Sequence, residues 1–316
     1  MFPVFVCGAP RSGTTLVGSI LGSGTGGVVT PESQFVADLA QHYRFNETKP
    51  WPKSSLQKKI SSHFRYKLWQ IPFPSLASFP DEIGMNEFRE VILKLVRGYA
   101  KHHHGQEAPS IWVDHTPTHI QHAELLLRLF PNAQFVHVVR DPRAVAASLF
   151  ARDWGANTSK EAAIMWAERL GYGLALEQKH PEKVVQVQYE TLVTSPKRTV
   201  QTLCEKLKLP FSEQMLLGQG FELPDYTKDQ HGLVGQGMDQ SRIDAWRSQL
   251  DQWSLYEIEC RLESLMALMG YDVFSKGAPG DKTLKRKLSE SLQPMLSEIK
   301  KRRFRRKKKR FGQPSA

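Results

Sequence analysis

The chain has 316 residues, of which 40% are hydrophobic and 24% charged, a mix that suits one large core or two modest ones. No apolar stretch approaches the ~20 residues of a membrane span, and Met1 leads into an apolar strand without the features of a signal peptide, so the expectation is a soluble, cytoplasmic chain. The net charge of +11 is all tail: from Lys276 onward there are 15 Lys and Arg against 3 Asp and Glu, so the rest carries −1 and is a poor match for nucleic acid.

The first element is an apolar strand over residues 4–7, followed by CGAPRSGTTLVGSIL, a Gly-containing turn that runs into a helical pattern over 15–21. A strand, a tight turn and a helix aim backbone N–H groups and the positive end of a helix dipole at one spot, where an anion binds. Gly8 and Gly13 have the separation of a nucleotide-binding P-loop, but Thr14 occupies the position of its lysine and Arg11 stands inside the loop. The cation is therefore placed to grip a single phosphate and its attached group with a planar fork.

Residues 41–80 hold eight of the 31 aromatics (Tyr43, Phe45, Trp51, Phe64, Tyr66, Trp69, Phe73, Phe79) among several prolines. This reads as a lid or insertion over 41–85, its rings being either a wall for an acceptor or the packing of the lid itself. The helix expected over 87–101 places Phe88, Val91, Ile92, Leu95 and Tyr99 on one core face and ends in a solvated run, His102 to His104. A strand over 111–113 opens WVDHTPTHI, and a helix follows over 121–130. His119 and His122 lack the carboxylate or cysteine partners of a zinc site, so no metal is expected.

A second strand-to-helix junction, FVHVVRDPRAVAASLFAR, has a strand over 135–139 with Arg140 at its end. A helix over 144–152 carries Ser148 and Arg152 four residues apart on one face, which makes a second anion pocket possible. Arg140 and Asp141 could alternatively form a strand-end salt bridge. A helix over 160–177, a strand over 184–187, a loop over 221–240 and two helices over 241–270 complete the pattern. Short apolar strands alternating with helices imply a central parallel sheet covered on both sides: a three-layer, P-loop-like α/β domain over residues 1–275. Residues 276–316 form a basic tail, helical or disordered, with a stripe of Leu284, Leu288, Leu292, Leu296 and Ile299 interrupted by Pro294. Cys7, Cys204 and Cys260, few and set among apolar neighbours, read as core residues of a chain kept in a reducing compartment.

GAPRSGTTL followed by VVRDPRAVAASL resembles the paired 5′-phosphosulfate and 3′-phosphate motifs of sulfotransferases that use 3′-phosphoadenylyl sulfate (PAPS). The branch it is most similar to contains the tyrosylprotein sulfotransferases and many bacterial relatives, and thinner likenesses in VQYETLVTSP, SRIDAW and MGYDVF extend it over nearly all of 1–275. The resemblance implies PAPS as donor and adenosine 3′,5′-bisphosphate (PAP) as product. It implies Arg11, Ser12, Gly13, Thr14 and Thr15 on the 5′-phosphosulfate, Arg140, Ser148 and Arg152 on the 3′-phosphate, and Tyr189 against the nucleotide. Glu32, 21 residues after Arg11, matches the family's general base; capping of a helix after Pro31 is its other reading. His115 stands where relatives carry a lysine that stabilises the bridging oxygen. As an imidazolium it could do the same, with activity falling as pH rises through its pKa. Ala245 replaces a lysine that often precedes the tryptophan at 246, and whether Arg242 compensates is open. The acceptor implied is a hydroxyl of a tyrosyl peptide, carbohydrate or small molecule. The tail could gather a polyanion, bind an anionic membrane surface, contact nucleic acid or simply be solvated. Two other classes fit parts of the pattern: a P-loop nucleotide kinase and a non-enzymatic polyanion- or membrane-binding protein.

Overall fold

Strands that are apolar at every position need cover on both faces, and the computed structural model supplies it. It describes residues 1–24, 26–43, 49–221, 238–280, 295, 298–300 and 302–306. In chain order, β1 (Phe2–Gly8) runs into α1 (Thr14–Gly22), and β2 (Val28–Thr30) into α2 (Gln34–Ala40). A short antiparallel ribbon, β3 (Trp51–Pro52) with β4 (Glu82–Ile83), brackets α3 (Lys53–Ser62) and α4 (Phe64–Lys67). Next come α5 (Met85–His104), β5 (Ile111–Asp114), α6 (Ala123–Leu129), β6 (Gln134–Val139), α7 (Pro142–Phe150), α8 (Ser159–Lys179) and β7 (Val184–Gln188). The helices α9 (Tyr189–Thr194), α10 (Pro196–Leu207), α11 (Trp246–Gln249) and α12 (Gln252–Leu268) follow.

The main sheet has the order β2-β5-β1-β6-β7 and every pairing in it is parallel. Along β1 the pleat sends Phe5 and Cys7 into one core with α2, α5 and α6, and Val4 and Val6 into another with α1 and α10. A third cluster joins α7, α8 and α12 through Val145, Leu149, Trp166, Ile258, Leu262 and Met266. The three-layer α/β expectation is met. Among the described residues no helix is long and apolar enough to cross a membrane.

Several boundaries differ from the sequence reading. Residues 117–122 form a 3₁₀ turn, so the helix expected over 121–130 starts at Ala123. The helix carrying Ser148 ends at Phe150, leaving Arg152 just beyond it with its N–H on the Leu149 carbonyl at 2.9 Å. Cys260 is exposed because the inward face of α12 is Ile258, Leu262 and Met266, and position 260 lies off that face. Within the aromatic segment Tyr43 and Trp69 are fully buried, and Tyr66 and Trp69 both meet the Phe35 ring edge-on, while Trp51, Phe73 and Phe79 are partly buried against the same core. Phe45, most of the 221–240 loop and the leucine stripe lie outside the described residues, while Ile299 of that stripe is 38% exposed.

Candidate active site

The strands β1 and β6 lie side by side, with Gly8 in register with Val138. From β1 the chain crosses toward β2 and β5, and from β6 it crosses the other way to β7. Such a reversal opens a crevice at the carboxyl ends of the two strands. Gly8 has φ 144° and a Cβ there would collide with the Val138 carbonyl oxygen. Arg11 adopts the left-handed region at φ 72°, a conformation that costs a non-glycine residue strain and recurs at ligand sites. Gly13, at φ 101°, caps α1, and a Cβ on it would lie 2.7 Å from the Tyr189 ring. Beyond it, α1 leaves its first N–H groups without intrahelical acceptors, as every helix does.

The two loops meet through their arginines. Arg11 donates from Nε to Ser148 Oγ at 3.0 Å, and Arg140 donates from Nη1 to the Arg11 carbonyl oxygen at 3.1 Å and from Nη2 to that of Arg242 at 2.9 Å. The Arg140 guanidinium lies 4.1 Å from the centre of the Tyr189 ring, a cation–π contact. Arg11 is pushed down to about 10, first by burial and then by the charges of Arg152 and Arg140, with Glu32 acting in the opposite sense. Among the described residues, the buried atoms Ser12 Oγ, Arg140 Nε, Arg152 Nε and His115 Nε2 have no hydrogen-bond partner. Such atoms are costly in a folded protein and, next to crowded cations, they fit a ligand rich in anionic oxygen.

On the other side of Arg11, Glu32 Oε2 accepts from Gln34 Nε2 at 2.5 Å and pairs with Arg65 Nη2 at 2.8 Å. Thr15 Oγ1 and His115 Nδ1 are 3.4 Å apart, which joins His115 to the first turn of α1. Burial pushes the His115 pKa below its ordinary value, against the charges of Glu32 and Asp114. His119 is tied into a fully buried knot: Ser33 Oγ donates to Asp114 Oδ2 and lies 3.1 Å from His119 Nε2, and Asp114 Oδ1 accepts from Thr116 N. The knot fastens the chain next to Glu32 to the chain next to His115. Among the described residues no group of three or more His, Cys, Asp or Glu could hold a metal ion.

Contacts and charge coupling thus bring Arg11, Gly13, Arg140, Ser148, Arg152 and Tyr189 together at the ends of β1 and β6, with Glu32 coupled to Arg11 and His115 beside Thr15. Their support is what sequence reasoning missed. Asp141 pairs with Arg143 and not with Arg140. Buried Arg143 also reaches Glu259 at 2.6 Å and the Asp272 carbonyl at 2.9 Å, and stacks 4.2 Å from the Trp246 ring. Glu190 accepts from Asp141 N and from the Tyr271 hydroxyl, both at 3.0 Å. The closing MGYDVF segment therefore clamps the base of the Arg140 loop. Their adjacency to the motifs (Arg143 in RDPR, Glu190 after Tyr189) was the only sequence signal for them.

Residues 3–213 match the model of the sulfotransferase family. The chain is 26% identical over 272 residues to an uncharacterized protein of Aquifex aeolicus, covering 81% of this chain and 31% of that one. It is 25% identical over 219 residues to protein-tyrosine sulfotransferase A of Caenorhabditis elegans, covering 67% of this chain and 51% of that one. It thus spans about a third and about half of these two relatives, respectively. The sulfotransferase domain from the Synechococcus PCC 7002 olefin synthase shares the fold with a TM-score of 0.59 at 20% identity, over 86% of this chain and 96% of that one.

Proposed function

Because the chain belongs to the sulfotransferase family, we propose that it moves a sulfuryl group from PAPS to a hydroxyl acceptor by in-line attack. The observation that carries this reading is the set of unpartnered buried atoms around Arg11, Arg140 and Arg152. PAPS supplies a sulfuryl group on a phosphate leaving group. Arg11, Ser12 and the N–H groups of Gly13, Thr14 and Thr15 would hold its 5′ end, and Arg140, Ser148 and Arg152 its 3′-phosphate. Arg11 and the first turn of α1 oppose the negative charge that builds on the departing phosphate, which lowers the barrier without a metal. Tyr189 holds Arg140 and packs on Gly13, giving the loop a rigid floor.

Glu32 would accept the proton of the attacking hydroxyl, since an alcohol or phenol is protonated near pH 7. His115 would donate from Nε2 toward the bridging oxygen while Thr15 occupies Nδ1. Burial favours the uncharged ring, so we assign this donation to neutral imidazole. That revises the expectation of an imidazolium: activity then has no reason to fall as pH rises above 6.5. The acceptor class stays broad, a tyrosyl peptide, carbohydrate or small molecule bearing a hydroxyl, and the tail cations would favour an anionic one.

Thermal melting with PAP and with ATP separates this reading from a nucleotide kinase. PAP is expected to raise the melting temperature and ATP to do little. Stabilisation by ATP without any by PAP would reject the proposal. Transfer of labelled sulfate from PAPS to phenols, sugars and tyrosyl peptides then identifies the acceptor.

A further inference from the structure

The Glu32 carboxylate is held unevenly. Both of its donors, Gln34 Nε2 and Arg65 Nη2, reach the same oxygen, Oε2, and no described residue donates to Oε1. A forked, two-point pairing with Arg65 would tie up both oxygens; among the described residues the contacts fall on Oε2, which leaves Oε1 for a proton. We propose that Arg65 and Gln34 are positioning residues that fix the Glu32 carboxylate through Oε2 and present Oε1 to the acceptor hydroxyl. The inference rests on the reading of Glu32 as the base.

The aromatic segment supplies the rigidity this requires. Arg65 lies in α4, whose cap is His63: its Nδ1 accepts the Arg65 N–H at 3.1 Å and its Nε2 meets Asp38 of α2 at 3.3 Å. Next to Arg65, the buried Tyr66 ring packs edge-on against Phe35, which Trp69 meets at 5.3 Å. Phe35 is three residues from Glu32 and starts the same helix as Gln34. One packed cluster therefore carries Glu32 on α2's leading end and Arg65 on α4. Tyr66 and Trp69 thereby help to hold one arginine at one oxygen.

The test compares two acceptors in PAPS-dependent transfer at pH 8, 4-methylphenol, whose hydroxyl keeps its proton as tyrosine does, and 4-nitrophenol, which is already ionised. Arg65→Gln is expected to slow 4-methylphenol by on the order of 10²-fold in kcat and 4-nitrophenol far less, with KM for PAPS and the PAP-induced melting shift unchanged. Arg65→Lys, which can still make one contact to Oε2, should recover most of the lost rate. Equal losses with the two phenols, or a loss expressed in KM for PAPS, would overturn the proposal. Should Arg65→Gln not fold, Gln34→Leu removes the other Oε2 donor and is read by the same comparison. Failure of the unmutated chain to show a PAP shift would defeat the sulfotransferase reading itself, a result separable from any of these.

Discussion

Gly13 does two jobs with the same missing atom. It turns the chain through a conformation that other residues resist, and it lets the Tyr189 ring approach to a distance no Cβ tolerates. Gly13→Ala is expected to abolish the PAP-induced melting shift while far-ultraviolet circular dichroism stays native, because the injury is confined to the loop. His115 makes a different statement. Its pKa is lowered by burial from 6.5, so the unfolded chain takes up the proton more readily than the native one. Stability from this group is complete above pH 6.5 and is lost as pH falls below that value toward the folded pKa. Melting temperatures measured between pH 7 and 5 should therefore fall less steeply for His115→Gln than for the parent. At this scale the sequence was most readable in the contiguous loops, where Gly8, Arg11 and Gly13 carry their chemistry in their spacing. Arg65 was invisible as a partner of Glu32, since 33 residues and two helices of tertiary packing bring them together.

The helices around the crevice depend on a charged network as well as on apolar packing. Arg143 at the start of α7 is 3% exposed and Glu259 in the middle of α12 is 0% exposed, and the pair also receives Phe274 N and Ser275 N. Breaking a buried pair by removing one charge costs about 3–5 kcal/mol, because the other is left without its partner in a dry setting. Here Asp141 still holds Arg143, so Glu259→Gln is expected near the low end, about 3 kcal/mol, in urea unfolding followed by fluorescence. The central strands and α5 were legible because a run of apolar residues or a three-and-four spacing belongs to the element itself. The edge strand β2 and the ribbon of β3 and β4, three and two residues long, are too short to carry a period. They exist only because neighbouring backbone offers hydrogen bonds.

For the molecule as a whole, the charge balance changes at residue 276. Asp272, Phe274 and Ser275 are bound into the Arg143 network, and Tyr271 into Glu190, so the domain continues through the end of MGYDVF. Beyond that, Lys300 donates to the Phe150 carbonyl at the end of α7 at 3.2 Å. A chain ending at Lys276 is expected to keep the PAP melting shift, and one ending at Gly270 to lose it; loss in the longer chain would show that the tail belongs to the domain. The change in composition is legible in the sequence, whereas what the tail binds has no local signature in a run of like charges.

The contact from Arg140 to the Arg11 carbonyl means that neither loop can relax alone. On the proposed reading, a nucleotide phosphorylated at one end only would have to order both loops for half the reward, while a doubly phosphorylated one would spread that entropic penalty over two grips. A single hydrogen bond between the halves would then disfavour monophosphates and triphosphates ahead of any contact with the base.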